Sequence, residues 1–64
     1  MPFFLRIVEQ QDGWWLRRGR DDLKWFGELD DGVEYATDIA GDIRPSEVLV
    51  HHLDGRVDVV ATFK

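Results

Sequence analysis

The chain has no cysteine, a single serine, two prolines and no asparagine among its 64 residues. Without cysteine there is no disulfide framework and no thiolate for catalysis or metal binding, and a reducing compartment suits such a chain. Ser46 stands alone as a serine. With Thr37 and Thr62 on expected surfaces and no base beside them, nucleophilic catalysis has almost nothing to draw on. The six glycines are dispersed and form neither GxGxxG nor GxxxxGK[ST], so no phosphate-binding loop is expected. Long apolar runs are also missing. The stretch MPFFLRIVEQ falls well short of the roughly 7 to 15 residues of a signal-peptide core, and nothing approaches a membrane span. The expected place is the cytoplasm, with no membrane contact. Cations are absent from residues 28–42, which hold six acids, while residues 6–24 hold five cations against four anions.

What is present suits one small domain, residues 1–64. Forty-four per cent apolar residues, including three Trp and four Phe, supply a core. A chain this short removes only about 60% of its unfolded surface from water, so a deep catalytic cleft is not expected. The formal charge of −5 repels nucleic acid at long range.

The organising stretch is Glu47 to Phe63, two β-branched runs separated by Asp54-Gly55. Asp-Gly between such runs is a strong signal for a two-residue type I′ hairpin turn. That turn would set Val48 against Ala61, Leu49 against Val60, Val50 against Val59, His51 against Asp58 and His52 against Val57. Alternation then gives one face Val48, Val50, His52, Val57, Val59, Ala61 and Phe63, an apolar surface that must be covered. His51 and Asp58 would form a cross-strand polar pair on the other face.

Upstream, Phe3 to Gln10 reads as a strand with apolar residues on both faces, the mark of an interior or doubly covered strand. Trp14 to Arg18 is a second strand with Trp14 and Leu16 in phase. A loop of about four residues would place Leu16 beside Ile7, and one of three would place it beside Val8. Gly19 to Asp22 is a polar turn and Leu23 to Phe26 a short third strand. Asp31 and Glu34 have capping-box spacing, and from Val33 onward Tyr35, Ala36, Ile39, Ala40 and Ile43 share one helical arc. Pro45 ends that helix. The expected fold is α+β: an antiparallel sheet of four to five strands, order ββ(β)αββ, with one helix on one face.

Gly13-Trp14 with Leu16 and Arg18, a helix with Glu34, Ala36, Ile39 and Ala40, and Val50-His51 followed by Asp54-Gly55-Arg56-Val57 resemble the small bacterial proteins of domain-of-unknown-function family twenty-one eighty-eight. The resemblance spans nearly the whole chain. It implies a compact α+β domain of bacterial or phage origin and brings no activity with it.

Three surfaces carry functional expectations. The sheet face away from the helix would expose Trp15, Leu49, Leu53 and Val60, an apolar inventory that points to a protein partner or a homodimer. The outer helix face carries Glu34, Asp38 and Asp42 at i, i+4 and i+8, either a solvated surface or an acidic ridge that imitates nucleic acid, as a phage-encoded inhibitor blocking a basic groove would. Arg17, Arg18, Arg20 and Lys24 interleave with the tryptophans of segment 14–25 as in single-strand binders, although Asp21 and Asp22 offset them. His51 and His52 are adjacent on a strand and point apart, so they cannot ligate one metal. No enzyme activity, cofactor, metal or small-molecule substrate is expected, and the leading expectation is a non-enzymatic protein-interaction module.

Overall fold

The strand Phe3–Gln10 (β1) is the axis of the fold. A computed structural model describes residues 2–64, and in it β1 lies at the centre of a five-stranded sheet ordered β3-β2-β1-β4-β5. The other strands are Gly13–Arg18 (β2), Asp21–Phe26 (β3), Ser46–His51 (β4) and Val57–Phe63 (β5), and one helix, Leu29–Asp42 (α1), comes between β3 and β4. The central position of β1 pairs both of its edges, and of its two faces the one carrying Leu5 and Ile7 is buried while Phe4 and Arg6 on the other are exposed.

The sheet is mixed, which corrects the antiparallel expectation. Strands β1, β2 and β3 form an antiparallel meander, α1 then carries the chain back across the sheet, and β4 pairs with β1 in parallel. A helical crossover is the connection that permits parallel pairing. In the first hairpin Ile7 lies opposite Leu16, with Gln11 and Asp12 in the turn. The third strand starts two residues earlier than expected, because Asp22 and Asp21 pair with Arg17 and Arg18.

The second hairpin turns where Asp54 and Gly55 stand, but by a different route. A type I′ turn needs two residues at positive φ, and here only Gly55 has one (+92°). The Gly55 amide donates to the His52 carbonyl, and the His52 amide donates to the Arg56 carbonyl. The loop therefore has three residues, Leu53 to Gly55, with the Asp54 carboxylate accepting from the Arg56 amide at 2.9 Å. This slips the register by one, so Val57 faces His51, Asp58 faces Val50 and Val59 faces Leu49. A bulge at Val60 removes the slip, and Val48 faces Ala61 as expected. Between the two irregularities the faces exchange. Val57 and Val59 lie on the face away from the helix and not in the core, and His51 does not meet Asp58.

The core sits between α1 and the other face. Leu5, Ile7, Leu16, Val48 and Val50 are fully buried, each contributing about 1.5–3 kcal/mol by the usual transfer scale. The helix meets them with Ala36 and Ala40, and with Gly32, where an added Cβ would stand 3.3 Å from the Phe26 ring. These small residues let helix and sheet approach closely. Tyr35 and Ile43, expected on the buried arc, are exposed, and Gly32 and Leu29 extend the stripe in the other direction.

The helix also starts earlier than the Asp31 cap predicts. Glu28 is its N-cap and makes no side-chain cap bond, which leaves Asp30 and Asp31 inside the first turn, where carboxylates favour the positive end of the helix dipole. Two of its C-terminal carbonyls accept from side chains. Arg44 Nε donates to the Gly41 carbonyl at 3.1 Å, and the buried Ser46 hydroxyl donates to the Ala40 carbonyl at 2.7 Å.

Candidate functional site: the uncovered sheet face

One helix covers one side of five strands, and cross-strand register defines what the other side presents. Along its first row Val8 stands between Trp15 and His51, with Trp25 beyond the one and Val57 beyond the other. In the second row Arg6 stands between Arg17 and Leu49, flanked by Asp22 and Val59. The third pairs Phe4 with Glu47 and Glu47 with Thr62. These residues alternate with the buried Leu5, Ile7, Leu16, Val48 and Val50, so they point away from α1. Trp25 is 43% exposed and Val59 57%. Tryptophan and β-branched residues in adjoining rows make an apolar surface larger than scattered exposed side chains would.

Polar contacts on this face are few. Arg17 Nε lies 2.8 Å from Asp22 Oδ1, an exposed ion pair of the kind worth roughly 0–1 kcal/mol. His51 Nε2 is shielded from solvent and has no hydrogen-bond partner. Near the first hairpin, Trp15, Arg17, Asp22 and Leu53 border an open depression of about 620 Å³. Its carboxylates, Asp12 and Asp22, are exposed, and a general acid requires a desolvated one.

Of the sheet residues expected at a contact, Trp15 and Leu49 lie on this face, Leu53 rises at its rim and Val60 is the exposed residue of the bulge. Trp25, Val57 and Val59 belong to the surface and were missed. Trp25 could have been found from its register with Trp15, but the valines required knowledge of the bulge.

Glu34, Asp38 and Asp42 are all exposed on α1, and among the described residues none forms an ion pair. Lys24 Nζ lies 5.0 Å from the centre of the Tyr35 ring, and Tyr35 borders a shallow depression together with Glu34 and Asp38. The four basic residues of segment 14–25 do not form one track. Arg17 points to the uncovered face, Lys24 and Arg18 to the helix side, where Arg18 lies 5.9 Å over Phe3, and Arg20 stands in the turn.

A second polar cluster forms where His52 replaces His51 as the partner of Asp58. His52 Nε2 lies 2.9 Å from Asp58 Oδ2, and its Nδ1 is 3.8 Å from Glu9 Oε1. Glu9 Oε1 also accepts from the Leu53 amide at 3.0 Å, and the Trp14 ring meets the imidazole edge-on at 5.8 Å. The His52 side chain is 15% exposed. The Ser46 hydroxyl takes no part in this cluster, since it is buried and donates to the Ala40 carbonyl. Among the described residues no group of three or more His, Asp or Glu is arranged to hold a metal ion. The cluster acts as a brace that ties the second hairpin to β1.

No family model matches the chain, and no curated protein or solved structure matches it. The resemblance to family twenty-one eighty-eight therefore rests on the residues quoted for it. Among the described residues no helix is long and apolar enough to cross a membrane.

Proposed function

We propose that this chain is a small acidic, non-enzymatic interaction module of bacterial or phage origin, working in the cytoplasm, which binds protein through the uncovered face of its sheet. The observation behind this reading is that five strands carry a helix on one side only. The free side sets Trp15, Trp25, Val8, Leu49, Val57 and Val59 in adjoining rows. Leaving such side chains in water forgoes about 25 cal/mol for each Å² that a partner would cover. A tagged chain and its Trp15→Lys variant, compared for co-purifying protein after nuclease treatment, test the reading. Loss of the partner on that substitution, with folding intact by circular dichroism, is the expected result, and unchanged capture refutes it.

The acidic helix supports a second reading, an inhibitor that imitates nucleic acid at a basic groove. It is favoured by Glu34, Asp38 and Asp42 all being exposed and unpaired among the described residues. Reversing Asp38 and Asp42 to Lys would then abolish capture while Trp15→Lys leaves it. Nucleic-acid binding through Arg17, Arg18, Arg20 and Lys24 loses support from their division between faces, and capture that disappears with nuclease would restore it.

A further inference from the structure

We infer that the partner of the uncovered face is a second copy of this chain, packed face to face about a two-fold axis that runs along the sheet between β1 and β4. The inference rests on reading that face as the contact surface. Charge is the first argument. The strands place Arg6, Arg17, Asp22 and Glu47 on this face, two of each sign, although the whole chain carries −5. The excess acid lies elsewhere, with six carboxylates between residues 28 and 42. A nucleic-acid site would present an excess of cations. An isologous contact requires one patch that holds both members of each pair, which this patch does.

Arg17 is already paired with Asp22, whereas among the described residues Arg6 and Glu47 have no ion-pair partner. They stand on adjacent central strands, diagonally placed, since Arg6 faces Leu49 and Glu47 faces Phe4. Rotation about the proposed axis lays β4 of the partner over β1 and β5 of the partner over β2. Arg6 then comes within reach of the partner's Glu47, and Trp15 lies against the partner's Val57. Each contact occurs twice.

The acidic helices are compatible with this arrangement. They sit on the outer sides of two sheets packed about 10 Å apart. Their carboxylates are therefore separated by well over the Debye length of about 8 Å at physiological salt. The size of the face sets the strength. The axis leaves β3 outside the overlap, so four strands at about 4.8 Å spacing and six residues at about 3.4 Å meet over roughly 19 by 20 Å. Two such faces bury on the order of 800 Å², below the roughly 1,000 Å² of a stable specific interface, so the dimer is weak and reversible.

Sedimentation equilibrium of the full chain from 1 µM to 1 mM, with folding checked by circular dichroism, decides the matter. The wild type should dimerise within that range. Arg6→Glu and Glu47→Arg should each weaken association at least tenfold, and the two together should restore it. A wild type monomeric throughout, a dimer indifferent to either reversal, or a double reversal that merely adds the two losses would overturn the inference. If the wild type stays monomeric while Trp15→Lys still removes a co-purifying protein, the second copy is excluded and the contact face stands. If neither association nor capture depends on this face, both fall.

Discussion

Two valines on the same hairpin offer the sharpest test of the register. Val48 is fully buried under α1, and Val59 is 57% exposed on the opposite face, although an uninterrupted two-residue hairpin would bury both. Valine to alanine removes the equivalent of two methylene groups, about 1.6 kcal/mol of transfer free energy at a fully buried site. At Val48 a cavity cost is added, because Leu5 and Ala61 on the neighbouring strands are held by their own ladders, and a loss of about 2–3 kcal/mol follows. At Val59 under half of the side chain is removed from water, so about 0.7 kcal/mol is the ceiling. Urea titrations followed by tryptophan fluorescence at a few micromolar protein measure both. The midpoint should fall markedly for Val48→Ala and little for Val59→Ala, with the slope unchanged in each. Equal losses would mean that Val59 is a core residue, that the bulge is absent, and that the contact face has been assigned the wrong members.

Two further substitutions probe local geometry. Gly13 has φ +149°, and a Cβ there would stand 2.6 Å from the Phe26 carbonyl oxygen and 2.7 Å from Trp25 Nε1, so Gly13→Ala should destabilise by at least about 1–3 kcal/mol, and thermal unfolding at wild-type temperature would refute the close approach of β2 to β3. In a double-mutant cycle of His52→Ala and Asp58→Ala the coupling should be about 0.2–1 kcal/mol, the value for a partly exposed pair, whereas His51→Ala and Asp58→Ala should be additive; coupling in the second cycle and not the first would restore the uninterrupted register.

Much of this architecture is legible in the sequence. The apolar period of the helix, the strand alternation and the two-sided apolar pattern of β1 are local signals, and each finds its element, although the helix begins before its expected cap and the phase of β5 is missed. The direction of β4 is not local. It follows from where the crossover sets that strand down, and nothing within Ser46–His51 distinguishes a parallel neighbour from an antiparallel one. The bulge is hidden for a related reason. Val57, Asp58, Val59 and Val60 give no unique phase, since valine suits either face of a half-covered sheet. At the turn, Asp54 uses its carboxylate on the Arg56 amide, and a single residue at positive φ then suffices where two were expected.

The two irregularities have opposite effects on register, and their combination governs what this molecule can touch. Had the turn been type I′ and β5 unbroken, Val57 and Val59 would lie under the helix, and Asp58 would stand on the free face opposite His51, with Arg56 opposite Leu53. That face would then lose two valines to a pair of charged side chains, a poorer apolar surface for a second copy. With the slip confined to residues 57–59, the valines join Trp15 and Leu49 outside, while Asp58 turns inward and finds His52. The slipped register thus gives the free face its apolar area and gives the second hairpin its tie to β1. Val60 is the one residue of β5 without a partner on β4, so deleting it should close the bulge and leave Val59 opposite Leu49 and Ala61 opposite Val48. The His52–Asp58 contact and the burial of Ala61 and Phe63 should then both survive, with an unfolding midpoint close to that of the wild type. In an unbroken ladder the same deletion would turn one half of β5 onto the wrong face, so a marked fall in the midpoint would refute the bulge.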